Sequence, residues 1–264
     1  MSTNEVIGLI PCGGLASRIK PLPCSKEIIP VGLQKTVDGL LQPKVVSHHL
    51  LEKMRQGGVR KAFFILRKGK WDIPDYYGDG SYFGMDLGYL IASRPYGPPY
   101  TLDQAYPFVR GKQVAFGFPD ILFGPSDAFK QALLRMAATR ADLVLGLYRV
   151  NDTSISDMIA IDHKGRVQEI VLKPNTTKLK LGWVFAVWTP TFTEFHHDYL
   201  KIPRTNAQLP GARLPSELTV GHVIQAAITE GITTQSVIFQ RDSYLDIGTP
   251  EGLRQMFSNQ WYCP

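Results

Sequence analysis

The order of strand and helix patterns in the first seventy residues constrains the fold most. Residues 5–12, EVIGLIPC, are apolar almost throughout and end at Gly13-Gly14, which is typical of a buried strand. Residues 43–58 carry apolar side chains at helical spacing, with Pro43 at the start and a Gly-Gly pair at the end, and residues 59–69 form another apolar run. A strand, a helix and a strand in this order predict a parallel sheet.

The rest of the chain continues this alternation. Strand patterns occupy 112–123, 142–150, 181–190 and 233–240, helix patterns occupy 126–141, 216–231 and 249–260, and a hairpin pattern occupies 158–174. The predicted helix N-caps are Ser126, Ser216 and Thr249. No linker-like segment divides the chain. We therefore predict one α/β domain over residues 1–264, a three-layer α/β/α Rossmann-like fold with a mostly parallel central sheet and an inserted hairpin. Ligands are expected at the carboxyl ends of its strands.

Positive charge is concentrated near the N-terminus. The chain has a net charge of +6, but residues 1–70 hold 12 Lys and Arg against 4 Asp and Glu, a balance of +8. Such a segment favours an anionic partner. The interleaved basic and aromatic residues of RNA-binding motifs are missing, so a small phosphorylated ligand is preferred over nucleic acid. A solvated basic face without a partner is the alternative.

Hydropathy gives no reason to expect a membrane protein. The sequence has no apolar run of the length that crosses a bilayer, and its first residues lack the basic and apolar regions of a signal peptide. We expect a cytoplasmic protein without a membrane partner.

The loop after the first strand has features of a phosphate-binding site. Gly13 and Gly14 have no side chains to keep a phosphate away from the backbone. Arg18 adds a planar charged group, and Lys26 adds a point charge. The spacing matches neither the dinucleotide-binding nor the P-loop motif. Taken alone, the glycine pair is equally compatible with an ordinary turn.

Two acids follow predicted strands. Asp120 comes directly after QVAFGF, and Asp246 lies in YLDIGTP. Two such carboxylates can hold Mg²⁺ against a triphosphate, because Mg²⁺ usually takes one or two carboxylates together with phosphate oxygens. Either acid alone is more simply explained as a turn cap or a ligand of backbone amides. Together with the basic glycine loop, they favour a metal site.

A set of ordered motifs resembles the sugar-1-phosphate nucleotidyltransferases, particularly the glucose-1-phosphate thymidylyltransferase type, and this chain looks like a divergent member. The motifs are PCGGLASRIKPLPCSKEIIPVG, FPDILFG, DHKGRVQEIVLKP, LGWVFAVW and YLDIGTPEGL. The resemblance spans Gly8 to about Leu253 and implies a nucleotidyltransferase fold. It also implies a Mg²⁺-dependent enzyme that couples an NTP to a sugar-1-phosphate, releases pyrophosphate and forms an NDP-sugar. Relatives of this type often form homo-oligomers.

The resemblance assigns roles by position. The implied nucleotide-binding residues are Gly13, Gly14, Ala16, Ser17, Tyr96 and Thr101. The implied catalytic residues are Arg18 and Lys26, the implied metal ligands are Asp120 and Asp246, and the implied sugar-phosphate ligand is Lys173. Catalysis then consists of positioning and charge neutralisation.

The chain also departs from the family motifs. Ala16 stands where the family usually has glycine, Pro119 and Ile121 flank Asp120 in place of glycine and asparagine, and Leu172 replaces the acid expected to help hold the sugar. These departures leave two alternatives open. One is a catalytically weakened protein that binds a nucleotide or sugar phosphate. The other is nucleotidyl transfer to a non-sugar phosphate acceptor, since one fold serves several functions.

Overall fold

The computed structural model describes residues 5–35, 38–92, 97–150, 152–201, 218–239 and 244–258. Its strands are β1 (Val6–Cys12), β2 (Pro30–Lys35), β3 (Leu41–Val45), β4 (Lys61–Arg67), β5 (Asp86–Ala92), β6 (Gln113–Gly117), β7 (Ile121–Phe123), β8 (Leu143–Arg149), β9 (Met158–Ile161), β10 (Val167–Val171), β11 (Leu181–Trp188), β12 (Thr234–Phe239) and β13 (Tyr244–Asp246). Its helices are α1 (Val46–Gln56), α2 (Asp72–Tyr77), α3 (Pro98–Asp103), α4 (Tyr106–Val109), α5 (Ala128–Thr139), α6 (Pro190–Lys201), α7 (Val220–Thr229) and α8 (Pro250–Phe257). Within these ranges, no helix combines the length and the apolarity needed to cross a bilayer.

The central sheet is mostly parallel, as predicted. Its strand order is β5-β4-β1-β6-β11-β8-β12, and the β9–β10 hairpin joins it beside the first half of β11. Strands β1, β4, β5 and β6 pair in parallel, as do β8 and β12, whereas β11 runs antiparallel to both of its long neighbours. The β9–β10 pair is the predicted hairpin, and the Gly165 N–H closes its turn on the Asp162 carbonyl at 3.0 Å.

The two faces of the sheet have separate apolar cores, which gives the predicted three layers. Successive residues of a strand point to opposite faces. Ile10 and Phe64 therefore pack in the core beneath α1 and α5, whereas Leu9 and Ile65 pack in the core beneath α3, α6 and α7. All four are at most 2% exposed, and each such buried side chain stabilises the fold by about 1.5–3 kcal/mol.

A third, smaller apolar cluster packs the β7–β13 pair against α8. It joins Ile29, Leu122, Leu245, Ile247 and Met256. β7 leaves the line of β6 and pairs antiparallel with β13, so the predicted strand 112–123 is two strands. In this pairing Asp246 of β13 lies opposite Ile121, the residue after Asp120.

The first predicted helix is shorter than its pattern. The expectation that Pro43 starts the helix is wrong: Pro43 lies in β3, opposite Leu33, and the helix begins at Val46. The β2–β3 hairpin was not predicted. Since proline has no N–H and a fixed φ, it suits a two-stranded edge as well as a helix start.

The predicted helix caps fare differently. Thr249 is confirmed, since its side chain accepts a hydrogen bond from Gly252 N at 3.1 Å. Ser126 is wrong, because α5 begins at Ala128 and Asp127 occupies the cap position. Ser216 lies outside the described residues.

Candidate active site

The loop after β1 exposes a run of backbone amides. Among the described residues, the N–H groups of residues 14–18 donate to no backbone carbonyl, and the turn is closed by Ile19 N on the Ala16 carbonyl at 3.0 Å. Ser17 is exposed at the tip of this turn. Free amides on an exposed loop can donate to phosphate oxygens.

Ala16 adopts the backbone conformation that a glycine usually supplies. Its φ is +52°, in the left-handed region. This conformation costs an L-residue about 1–2 kcal/mol, since Cβ approaches the following carbonyl oxygen. The loop therefore keeps the turn geometry despite the substitution, at the expense of local strain.

Thr101 packs against the glycine pair. A Cβ added to Gly13 would lie 3.3 Å from Thr101 Oγ1, a tight contact, so α3 lies close to the loop at residue 13. Thr101 is buried, and its hydroxyl donates to the Gly97 carbonyl at 3.2 Å. Its nearness to the loop is consistent with the predicted role. Tyr96, the other residue expected near the base, lies outside the described residues.

Lys26 is largely buried and points toward the first carboxylate. It forms an ion pair with Asp120, and a Cβ added to Gly14 would lie 3.8 Å from its Nζ. Burial alone would lower the pKa of Lys26, but the charge and hydrogen bond of Asp120, together with Glu27 and Asp246, raise it above its ordinary value. Lys26 is therefore a permanent cation at neutral pH and cannot serve there as a general base.

A buried ion pair fixes the backbone beside Lys26. Glu27 is fully buried, and both of its carboxylate oxygens accept hydrogen bonds from Lys70 Nζ, at 2.6 and 2.7 Å. Burial raises the pKa of Glu27, and the charge of Lys70 opposes that rise. Nearby, Asp72 accepts hydrogen bonds from both Ser25 N and Ser25 Oγ at 2.7 Å. These contacts fix the residues before and after Lys26, Ser25 and Glu27, in place.

The two predicted metal ligands converge on one point. A Cβ added to Gly248 would lie 2.5 Å from Asp120 Oδ2 and 2.9 Å from Asp246 Oδ1, so both oxygens lie within 3 Å of that position. Ile247 N donates to the Asp120 carbonyl at 3.0 Å, and Gly248 N donates to Asp246 Oδ1 at 2.8 Å. Burial, followed by repulsion from Asp120, raises the pKa of Asp246. A cation between the carboxylates would relieve that repulsion.

Arg18 completes an alternation of positive and negative side chains. Its Nη2 lies 3.7 Å from Asp246 Oδ2, and its side chain is 56% exposed. The contact is long and open to solvent, so the guanidinium remains able to bind an anionic ligand. In space, the side chains follow the order Lys26, Asp120, Asp246 and Arg18, so each carboxylate has a cation beside it.

The carboxylate pair fits Mg²⁺ better than a metal that requires a full protein ligand set. Across the described ranges, no group of three or more His, Cys, Asp or Glu side chains is placed to hold a metal ion. Mg²⁺ keeps several waters and is commonly bound through one or two carboxylates and substrate phosphates. Two convergent carboxylates next to a loop of free amides meet that requirement.

A basic cleft of about 410 Å³ lies beside the loop. It is lined by Gly14, Leu15, Ala16, Lys20, Pro21, Leu22, Pro23, Cys24, Ser25, Lys26, Arg67, Gly69, Lys70 and Asp72. Four of these side chains are cationic and one is acidic, which agrees with the charge balance of the N-terminal segment and favours an anionic ligand.

Lys173 lies further along the same edge, beyond the end of β10. It is exposed and has a φ of +39°. Its charge and its backbone N–H act on Asp157, a largely buried acid that also accepts a hydrogen bond from Trp183 Nε1 at 3.4 Å. The structure therefore groups Lys173 with Asp157 rather than with the two convergent carboxylates.

Several residues of this site were not identified from the sequence. They are Glu27, Lys70, Asp72, Asp157 and Gly248. Gly248 had a signal, since it lies in the Asp-x-Gly-Thr-Pro motif. The others are ordinary charged residues whose roles depend on burial and on partners distant in the chain.

A family model described as "Nucleotidyl transferase" matches residues 7–260. The chain is 26% identical over 256 residues to a glucose-1-phosphate thymidylyltransferase of Neisseria gonorrhoeae, which covers 95% of this chain and 81% of that protein. It is also 26% identical over 236 residues to the protein of the same name from Streptomyces antibioticus, covering 88% of this chain but only 60% of the relative's length.

A solved structure shares the fold. The structure of a Bacillus anthracis protein assigned as a glucose-1-phosphate thymidylyltransferase superposes with a TM-score of 0.78, covering 96% of this chain and 94% of that chain. Sequence identity in that superposition is 19%. At this level of identity the likeness concerns the fold.

Proposed function

Because the chain belongs to the nucleotidyl transferase family, we propose that it is a Mg²⁺-dependent enzyme that couples an NTP to a sugar-1-phosphate, releases pyrophosphate and forms an NDP-sugar. The observation that carries the proposal is the alternation of Lys26, Asp120, Asp246 and Arg18 beside a loop of free amides. This arrangement suits a reaction whose main demand is to position a triphosphate and neutralise its charge.

The loop binds the nucleotide in this proposal. The amides after Gly13 and Gly14 donate to phosphate oxygens, and Ala16 and Ser17 shape the turn that presents them. Arg18 neutralises charge that develops on the pyrophosphate leaving group, and its exposure leaves it accessible. Lys26 acts as a fixed cation near the α-phosphorus, since its raised pKa keeps it protonated.

Asp120 and Asp246 would hold the metal. Bound Mg²⁺ would supply Lewis acidity at the phosphate oxygens and template the attacking and leaving groups. Gly248 keeps the space between the two carboxylates open. The ion pair with Lys26 fixes the position of the Asp120 carboxylate.

The acceptor phosphate would bind at Lys173. The lysine is exposed at the same sheet edge, and the attacking phosphate oxygen needs a cation to hold it in line with the α-phosphorus. The similarity to glucose-1-phosphate thymidylyltransferases supports a sugar-1-phosphate acceptor. Since this chain spans only part of the Streptomyces protein, that acceptor is a proposal for this chain. We also propose that residues 1–264 act as one domain, because one apolar core joins residues from Ile10 to Phe239.

A pyrophosphate-release assay tests the proposal. The protein is incubated with Mg²⁺, each of the common NTPs and a panel of sugar-1-phosphates. We expect release with one pairing, its loss on adding EDTA, and its loss in Asp120→Asn and Arg18→Ala. Lys61→Ala is the matched control, because this exposed lysine pairs with Glu5 at the opposite edge of the sheet, where β1 and β4 begin, and its removal should leave the rate unchanged.

The alternatives give different results. Nucleotide binding without release from any pairing would contradict the proposal and favour a protein that binds without turnover. Release only with a non-sugar phosphate ester would retain nucleotidyl transfer and replace the acceptor.

A further inference from the structure

We propose that Lys70 and Asp72, on the segment that leads from β4 into α2, are positioning residues that hold Lys26 at the proposed reaction centre. The inference rests on the proposed function for the role of Lys26. It deepens that function by assigning the placement of this cation to a distant segment of the chain.

Lys26 depends on its neighbours for a fixed position. It begins a single turn of 3₁₀ helix, Lys26–Ile28, and such short turns have poorer hydrogen-bond geometry than an α-helix. Its side chain is a flexible stem with a point charge at the end. The ion pair with Asp120 fixes that charged end. The position of the backbone, from which the stem starts, is set by the residues on either side.

Asp72 holds the residue before Lys26. Its Oδ2 accepts a hydrogen bond from Ser25 N and its Oδ1 accepts one from Ser25 Oγ, each at 2.7 Å. Hydrogen bonds to an ionised acceptor are about twice as strong as neutral ones. Because the two bonds use both carboxylate oxygens, they fix the orientation of Ser25 as well as its distance.

Lys70 holds the residue after Lys26. Its Nζ donates to both carboxylate oxygens of Glu27, and the two residues are 5% and 0% exposed. Opening a buried pair leaves a charge without a partner, so Glu27 has little freedom to move. The backbone of Glu27 is held as well, since its carbonyl accepts a hydrogen bond from Ser47 Oγ at 2.6 Å, and Tyr77 OH lies 2.6 Å from that hydroxyl.

The two contacts bracket a single residue. Residues 70 and 72 bind residues 27 and 25, while the side chain between them extends to Asp120 instead. A displacement of about 1 Å in a catalytic group costs roughly 100-fold in rate. Lys70 and Asp72 contact Lys26 only through its neighbours in this arrangement, so their effect on the reaction is one of placement.

Amine labelling tests the inference without requiring turnover. The native protein is treated with limiting acetic anhydride, and the acetylation rate of each lysine is followed by peptide mass spectrometry. We expect Asp72→Ala to raise the rate at Lys26 roughly 10-fold or more, the factor for losing a hydrogen bond to a charged group, because the turn then opens more often. The rate at Lys61, whose side chain is 53% exposed, should not change.

Further variants separate the two contacts. Asp72→Asn keeps one acceptor oxygen, so it should label Lys26 more slowly than Asp72→Ala does. The double variant Glu27→Met, Lys70→Met removes the buried pair without leaving an unpaired charge, and it should also raise the rate at Lys26. Asp75→Ala, which removes an exposed acid from the same helix, is the matched control and should label as the wild type does.

A double-mutant cycle distinguishes placement of Lys26 from general support of the fold. Asp72→Ala should lower kcat for pyrophosphate release by up to roughly 100-fold and leave the KM for the NTP within a few fold, since Lys26 is proposed to act in the transition state. In a Lys26→Met background the same substitution should cause no further loss, because the residue through which it acts is gone.

Three results would overturn the inference. They are an unchanged labelling rate of Lys26 in Asp72→Ala, an equal increase at Lys26 and Lys61, and independent losses of kcat in the cycle. Failure of the proposed function is distinguishable, because it appears as a lack of pyrophosphate release by the wild-type protein. The labelling rates then still decide whether Lys70 and Asp72 hold Lys26 in place.

Discussion

Gly248→Ala should disable the proposed metal site. The added Cβ would lie 2.5 Å from Asp120 Oδ2 and 2.9 Å from Asp246 Oδ1, and 3.5 Å from Arg18 Nη2. It would occupy the point on which the two carboxylates converge. The residue has an ordinary φ, so the effect of the substitution is steric.

The structure gives the size of the displacement. Ordinary contact with a Cβ begins at 3.4 Å, so Asp120 Oδ2 has to retreat by about 0.9 Å. Asp120 is buried and paired with Lys26, so it cannot simply rotate into solvent. A misplacement of about 1 Å in a catalytic group costs roughly 100-fold in rate. Overpacking costs about 1–3 kcal/mol of stability.

The assay is pyrophosphate release at saturating substrates, repeated over a Mg²⁺ titration. We expect kcat to fall roughly 100-fold and the apparent Mg²⁺ requirement to rise. Gly32→Ala is the matched control, because an added Cβ there meets nothing within 4 Å and the residue is exposed in β2. If Gly248→Ala keeps its rate within a few fold, or loses it no more than the Gly32 variant, the two carboxylates do not form the metal site.

Three further predictions concern stability. Ala16→Gly should leave the free energy of unfolding within about 1 kcal/mol of the wild type, because relief of the left-handed strain offsets the entropy of glycine. The control Ala137→Gly, in exposed helical conformation, should lose about 1 kcal/mol. Equal losses for the two variants in urea denaturation would show that Ala16 is unstrained. Lys70→Met should lower the free energy of unfolding by about 3–5 kcal/mol at neutral pH, because it leaves the Glu27 carboxylate buried without a partner. Since burial raises the pKa of Glu27, this carboxylate takes up a proton at acid pH and the loss of stability should shrink there. A small loss at every pH would contradict this. Burial lowers the pKa of His196 from 6.5 to about 4, so the unfolded chain binds the proton first. The stability present above pH 6.5 should therefore fall by up to about 3 kcal/mol as the pH drops toward 4. His196→Gln should remove that part of the acid sensitivity, and an unchanged pH profile of stability in this variant would refute the prediction.

The succession of strands along the chain and the two acids that follow or end strands were predictable because their signals are local. An apolar run followed by an acid, as at Asp120, requires only strand periodicity and the rule that ligands bind at the carboxyl ends of parallel strands. The glycine pair at 13 and 14 was visible for the same reason. Helix α6 also had a local signal that was overlooked, since Phe192, Phe195 and Tyr199 recur at helical spacing after Pro190.

Other features depend on contacts between distant segments. The pair of Glu27 with Lys70 joins residues 43 positions apart, and nothing in either neighbourhood marks it as buried. Asp157 lies in a polar loop sequence, and its burial follows from the approach of Trp183 and Gly221, which are distant in the chain. The β2–β3 hairpin was missed because Pro43 satisfies both a helix start and an edge strand.

The fate of labelled phosphate tests the central claim most directly. The protein is incubated with Mg²⁺, a phosphate-ester acceptor and an NTP labelled with ³²P at either the α or the γ position. Nucleotidyl transfer predicts that the α label appears in a new nucleoside diphosphate ester and the γ label in pyrophosphate. Transfer of the γ label to the acceptor, or release of the label only as inorganic phosphate, would contradict the account.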